Sequence, residues 1–430
     1  MSDIMILAGL LIFVLLTGNN IGTVLSLFGL AVFYLFTDVP IVVMGNSIWS
    51  TLNNHAFAAI PLYFLLGEVI SVTGIAQIIY ASISPLFSRL PGGLLQSNIG
   101  TCAFFSAISG SSTATTAAIG SIAYNELDER GYESTALLGS MGAGGTLGIL
   151  IPPSTILILY GAMEHVSIGR LFVAGLIPGV GLTMMYMLYI GVKAKLNPGI
   201  VPKETKISLF QAFKSSLNAW PFLILMGTVL GTVFMGLATA TEAASFGVVA
   251  AFVLAAFFGR FSLRVVWQSL MGTLSTFSAL ASIFIGATIL GQAVTFAGGP
   301  DYLLNLLQVA GFGPYTVLFL TACLYVILGC LFEPFSMLLI TLPVVFPVIT
   351  GMGFDPVWFG IFLVMLIELA ALTPPVGMNL FILLAVSGGR HTLFQVGLAC
   401  LPYIMIIVTA LVLVAAFPQI VLWLPTLLTL

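Results

Sequence analysis

FSAISGSSTATTAAIG, residues 104–119, sets the terms on which this chain has to be read. Seven Ser, Gly and Thr residues (109–113, 115 and 116) interrupt an otherwise oily run. The stretch is too short to cross a bilayer twice and too broken to cross it neatly once. Its surroundings fix the solvent. With 60% hydrophobic and 6% charged residues in 430, no soluble fold could cover the apolar surface with polar groups. Segments at 4–16, 21–36, 56–72, 171–192, 219–238, 243–259, 272–297 and 397–425 carry almost no charge. Several approach or exceed the roughly 20 residues of a membrane helix. Only helices or closed barrels satisfy the backbone in lipid. These long runs lack the alternation of barrel strands, so the expected fold is an all-α polytopic membrane protein. The opening MSDIMILAGLLIFVLL has neither a basic leader nor a small-residue cleavage site and reads as a retained first span.

A second stretch shows why the first is broken. GTLGILIPPSTILILYG (145–161) has a counterpart in LAALTPPVGMNLFILLA (369–385), with Pro152-Pro153 shifted by 222 onto Pro374-Pro375. The same shift carries Gly131-Tyr132 onto Gly353-Phe354, and Ser111 onto Glu333. Each half thus reads as a hairpin interrupted at its middle, a Gly-aromatic turn, and a helix broken by Pro-Pro. Repeat 1 spans 56–192, with a hairpin at about 94–127 and a broken helix at about 132–163. Repeat 2 spans 219–425, with a hairpin at about 315–350 and a broken helix at about 356–387. N-terminal scaffold spans occupy 1–55, and the basic, Pro-containing segment 193–218 connects the repeats.

Charge decides the relative orientation of the halves. If 94–127 is re-entrant, Arg89 and Arg130 share one face, which the positive-inside rule makes cytoplasmic. Five crossings then deliver the second hairpin to the opposite face. Asp301 and Asp355 flank it there, with no Lys or Arg. The same count places ten of the eleven basic residues inside and only Arg170 outside, and puts the N-terminus in the periplasm. The repeats are therefore expected to be inverted. Short stretches at 75–88, 261–270 and 390–396 read as amphipathic helices along the cytoplasmic interface. The segments 38–54, 164–170 and 298–314 read as periplasmic loops.

Inverted repeats with broken helices point to a secondary transporter, because irregular backbone at membrane depth survives only where it lines a cavity. Ser109, Gly110, Ser111 and Ser112 offer oxygen ligands without carboxylate or imidazole, which suits sodium and argues against zinc or copper. Gly145, Thr146 and Gly148, before the Pro152 break, would meet that first tip. Glu333 and Phe335, with Thr373, Pro374 and Gly377, would form the second cation region. Half-helices starting at Ser112–Thr113, Ser154, Ser336 and Gly377 would aim their N-termini at an anionic solute. Ser112, Thr113, Thr146, Ser154, Thr155, Ser336 and Asn379 are the candidate solute contacts.

Among the intramembrane carboxylates, Glu333 and Glu368 stand out, whereas Glu242 suits a helix cap. Ser109–Ser112 could also serve close helix packing alone, and Thr155 and Asn379 could bond a neighbouring helix. His55, His165 and His391 fall at span ends. Cys102, Cys323, Cys330 and Cys400 lie in apolar segments and suggest neither a metal site nor a disulfide frame.

FSAISGSSTATTAAIGS, GTLGILIPPS, IGRLFVAGLIPG, ATATEAASFG and LTPPVGMNLFILLAVSG together resemble the large membrane (M) subunit of the tripartite ATP-independent periplasmic (TRAP) transporters. The likeness runs over nearly the whole chain. It implies sodium-driven uptake of a carboxylate-bearing solute, such as a sialic acid or a C4-dicarboxylate, in the bacterial inner membrane. A periplasmic binding protein (P type) would deliver the solute, a small four-helix membrane subunit (Q type) would widen the scaffold, and an elevator motion would carry the hairpins. Carried over, the first sodium site falls on Ser109–Ser112 with Gly145–Pro152, and the second on Glu333 with Thr373–Gly377. The chain departs from the family in having Thr113 where Pro is common, and Glu333-Pro334 where Asp is frequent. The first departure resembles sialic acid members. The rival readings are a stand-alone sodium/carboxylate symporter and a channel-like subunit. No nucleic-acid partner and no enzyme motif is indicated.

Overall fold

A computed structural model describes residues 20–53, 55–202 and 208–428. The expected first span at 4–16, and with it the N-terminal orientation, lies outside the described residues, as do Lys203 and Lys206. Among the described residues, six helices are long and apolar enough to cross a membrane. A seventh span is formed if a pair bent by 77° counts as one.

The chain opens with α1 (Ile21–Phe36) and α2 (Ile41–Leu52), followed by α3 (His55–Thr73) and α4 (Ile75–Phe87), the two arms of that bent pair. Gly74 permits the corner by adopting φ 69°, a left-handed conformation that L side chains resist. Next come α5 (Leu94–Ser109) and α6 (Ser112–Glu129), then α7 (Ser134–Thr146) and α8 (Thr155–Glu164), and the long α9 (Ile168–Leu196). After the connector stand α10 (Leu209–Ser216), α11 (Trp220–Met226), α12 (Thr232–Phe234), α13 (Ala240–Phe257) and α14 (Leu263–Phe296). The second half continues with α15 (Gly299–Val309), α16 (Pro314–Gly329), α17 (Pro334–Gly351), α18 (Pro356–Leu372) and α19 (Met378–Val386). It ends on α20 (Leu393–Ala416) and α21 (Gln419–Leu427).

The structure departs from the sequence expectation in several places. The stretch 261–270 is no separate interfacial helix, because α14 runs unbroken for 34 residues from Leu263. No helix lies over 390–396 as a unit either. Residues 387–392 form a turn, closed by Gly388 and Gly389 at positive φ, and α20 starts at Leu393 under a Thr392–Gln395 capping box. The segments 38–54 and 298–314 are largely helical, as α2 and α15. The run 219–238 is bent through a π-turn at Gly227–Gly231, and 397–425 divides at Phe417–Pro418.

A shift of 222 residues carries α6 onto α17, end for end. It also carries the start of α7 onto the start of α18, and the cis Pro152-Pro153 bond onto the cis Pro374-Pro375 bond. The centre of the molecule is built from α7 and α18. Every residue of α18 from Val357 to Leu372 is buried, as an all-round apolar helix requires. Helix α7 reaches the same depth with small residues. A Cβ at Gly144 would sit 2.9 Å from the Cys102 sulfur, and one at Gly142 would sit 2.6 Å from that of Cys400. Apart from this core, α1 and α14 lie backbone to backbone at Gly22, Gly29 and Gly286; a Cβ on Gly29 would fall 2.7 Å from Leu290 N.

Candidate functional site: two broken hairpins around one cavity

The first hairpin breaks at Gly110, which takes φ 61° and ends α5, while Ser111 Oγ caps α6 by accepting from Ala114 N. This tip is fastened to the Pro-Pro break of its own half. The Gly110 carbonyl accepts from Thr155 N at 3.1 Å and from Thr155 Oγ1 at 2.8 Å. A Cβ on Gly110 would press on the Pro153 carbonyl at 2.6 Å, and one on Gly148 would fall 2.8 Å from Ser112 N. Only glycines allow these backbones to meet. The remaining oxygens of the tip converge. Ser109 Oγ lies 2.8 Å from Thr115 Oγ1, which in turn donates to the Ser111 carbonyl. On the facing side, Ser154 caps α8 through Leu157 N, and Thr146 Oγ1 donates to the Ala143 carbonyl.

The second hairpin solves the same problem with a carboxylate. Glu333 caps α17: Oε1 accepts from Ser336 N at 2.7 Å and Ser336 Oγ at 2.6 Å, and Oε2 accepts from Phe335 N. The half-helix therefore starts at Pro334, two residues before the expected Ser336. An anionic cap at a helix N-terminus is favourable, and proline at N1 has no amide to leave unpaired. The neighbouring Cys330 thiol donates to the Pro374 carbonyl at 3.3 Å, so this break too touches the Pro-Pro bond of its own half. Beyond it, Thr373 Oγ1 donates to the Leu369 carbonyl and Gly377 N to the Thr373 carbonyl.

Between the two tips lies a cavity of about 330 Å³. Ser111, Ser112 and Thr113 reach it from one hairpin, and Glu333, Phe335 and Ser336 from the other. Gly145, Thr146, Gly148, Pro152, Ser154, Thr155, Thr373, Pro374, Gly377 and Asn379 are not on its wall; of these, Thr155 binds the Gly110 carbonyl of the first tip and Pro374 accepts from Cys330 beside the second. Asn379 is wholly buried, and neither end of its amide has a partner. The sequence reading missed the opposite wall: Thr276, Ala279, Leu280 and Ile283 of α14, with Ile21 of α1. These residues look like any lipid-embedded helix, and only the small-residue seam between α1 and α14 hints at a special face. Among the described residues, no Lys or Arg borders the cavity. No cluster of three or more His, Cys, Asp or Glu suited to a metal ion occurs among the described residues.

A multi-pass helical protein that sets two broken hairpins around a midchain cavity belongs by architecture with membrane transporters. The same fold is found in the YdaH transporter of Alcanivorax borkumensis, at TM-score 0.61 and 14% identity over 93% of this chain and 97% of that one. Sequence comparison is more specific. Residues 8–420 match the family model of the tripartite ATP-independent periplasmic transporter, DctM component, and the chain belongs to that family. It is 32% identical to the C4-dicarboxylate TRAP transporter large permease protein DctM of Pseudomonas aeruginosa, over 93% of each chain. It is 30% identical to the sialic acid TRAP transporter large permease protein SiaM of Vibrio cholerae, over 96% of each. The protein is thus a large membrane subunit of a TRAP solute transporter, and not an enzyme.

Proposed function

We propose that this subunit carries a carboxylate-bearing solute, of the sialic acid or C4-dicarboxylate class, into the cell by coupling it to sodium entry. The cavity between the hairpin tips is the observation that carries this reading. The solute would occupy that cavity, with Ser112, Thr113 and Ser336 within reach and the N-termini of α6 and α17 pointing at it. With no Lys or Arg among the described residues on the wall, amide and hydroxyl groups would hold the carboxylate. One sodium ion would sit where Ser109–Ser112 meet Gly145–Pro152, and a second beside Glu333 with Thr373–Gly377. The register of the two halves supports an inverted pair, with the N-terminus periplasmic and the basic connector cytoplasmic. The hairpins and broken helices would then slide past α1 and α14 in an elevator motion.

A tripartite family implies two further components. We assign to them a periplasmic binding protein that delivers the solute and a small four-helix membrane subunit that enlarges the scaffold. Uptake of labelled sialic acid and C4-dicarboxylates into proteoliposomes of this chain with its small subunit tests the whole scheme. Uptake should require both an inward sodium gradient and the binding protein. Transport that persists without sodium would refute the coupling, and transport without the binding protein would refute the tripartite cycle.

A further inference from the structure

Helix α3 touches both hairpin tips. A Cβ on Gly67 would stand 3.6 Å from the Ser109 carbonyl of the first, and Phe64 meets Phe335 of the second edge-on, with ring centroids 6.0 Å apart. Glu68 follows one turn beyond Phe64, on the same side of the helix. It lies toward Thr73, the end of α3 whose carbonyl accepts from Arg260 Nη1 at 2.7 Å. A half-buried carboxylate in a spanning helix is costly and calls for a partner. Among the described residues, no charged group or hydrogen-bond donor pairs with it.

The facing helix, α14, makes room for that carboxylate. A Cβ on Gly272 would fall 2.9 Å from Glu68 Oε2 and 3.2 Å from Oε1, so the group lies directly against the helix backbone. Ser269 precedes Gly272 by three residues on the same face, where such neighbours have Cβ positions about 5–6 Å apart. Its hydroxyl is wholly buried and has no hydrogen-bond partner among the described residues. Thr276, seven residues after Ser269 and on that face again, reaches the wall of the cavity between the tips. The carboxylate and the hydroxyl therefore share one helix interface without bonding each other, a turn or two from the cavity. Each forfeits hydration unless a third group satisfies it. One small hard cation does so for both, by balancing Glu68 and accepting a lone pair from Ser269 Oγ. A single carboxylate with hydroxyl oxygen, and neither imidazole nor thiolate, suits a monovalent ion rather than a transition metal.

We propose that Glu68 and Ser269 form a sodium site between α3 and α14, separate from the two at the hairpin tips. The choice of ion rests on the sodium-coupled reading, so the test separates the two. Binding of radioactive sodium to the purified full-length protein is measured by scintillation proximity for wild type, Glu68→Gln, Ser269→Ala, Gly272→Ala and the tip variant Gly148→Ala, with a thermal melt to show that each is folded. Glu68→Gln keeps the shape and removes the charge, and should weaken one class of bound ions about tenfold. Ser269→Ala removes a neutral ligand and should weaken the same class about threefold. Gly272→Ala keeps every ligand but pushes the carboxylate off the helix, and should also weaken that class. Weaker binding in these three variants with Gly148→Ala unchanged would uphold this site and count against sodium at the first tip. Weaker binding in Gly148→Ala alone, with the other three at the wild-type value, would overturn the proposal and leave the tip site standing. A wild-type protein that binds no sodium would overturn both.

Discussion

Gly148→Ala is the sharpest test of how the first tip meets its Pro-Pro break. The added methyl would stand 2.8 Å from Ser112 N and closer still to the Ser111 carbonyl, both of them backbone atoms that cannot rotate away. Ordinary contact begins near 3.4 Å, so the tip must retreat by about 0.6 Å to clear Ser112 N and farther still to clear the Ser111 carbonyl. Oxygen ligands around a small cation are placed to within about 0.2 Å, and the shift would take the Ser111 carbonyl out of range. Overpacking of this kind costs about 1–3 kcal/mol, which as a loss of ion affinity is about 5–150-fold. The assay is sodium-dependent uptake in proteoliposomes, read as the half-saturating sodium concentration. A control is at hand in Gly181→Ala, whose methyl would meet nothing within 4 Å and should leave both uptake and melting temperature unchanged. An unaltered sodium dependence in Gly148→Ala would mean that this contact is packing and nothing more.

Other substitutions separate the parts of the structure. Glu333→Gln keeps one acceptor for the start of α17 but removes its charge. It should cost about 1 kcal/mol of stability in a thermal melt and weaken sodium dependence more than Gly148→Ala does, because a carboxylate ligand is lost as well. Breaking the exposed Arg390–Asp128 pair with Asp128→Asn should move the melt by no more than about 1 kcal/mol and leave uptake intact. Gly29→Leu should separate α1 from α14 and abolish folded yield in a size-exclusion assay, since the methyl position alone is already 2.7 Å from Leu290 N. Cysteines at Ala279 and Ser336, on opposite walls of the cavity, should block uptake when bridged by a short crosslinker, provided the walls slide past each other; continued transport by bridged protein would exclude that motion.

The hairpins and broken helices were legible because the residues that break them are chemically distinct. Gly110 must accept positive φ, Ser111 must cap, and a Pro-Pro pair cannot continue a helix, so each break leaves a mark that survives in an apolar chain. The helix over 75–88 was legible as well, from its amphipathic pattern, and stands as α4. What the sequence hid were features that depend on length or on partners. Nothing between Phe261 and Gly272 announces that α14 runs without interruption, because Arg264 and Trp267 suit an interfacial helix as well as the end of a long one. The scaffold wall of the cavity was equally silent. Thr276, Ala279 and Ile283 become site residues only by facing two hairpin tips that arrive from elsewhere in the chain.

Irregular backbone inside a membrane needs support on every side, and the support here is the rigid core rather than the tips. Helices α7 and α18 are the repeat-related half-helices that lead into the two Pro-Pro breaks, and they are buried along nearly their whole length. Thr146 and Glu368, which the 222-residue shift exchanges, lie beside each other where those helices meet. The pseudo-symmetry of the sequence thus becomes a physical contact at the centre of the fold. Each break is then tied to the hairpin of its own half, through Gly110 and Thr155 in one and through Cys330 and Pro374 in the other. Freed carbonyls on the core side of each tip are satisfied by these ties, while the oxygens on the cavity side remain in a shared space bounded by α1 and α14. That division leaves the backbone and hydroxyl oxygens of the tips in positions set by glycine contacts and caps, which the buried helices α7 and α18 keep fixed.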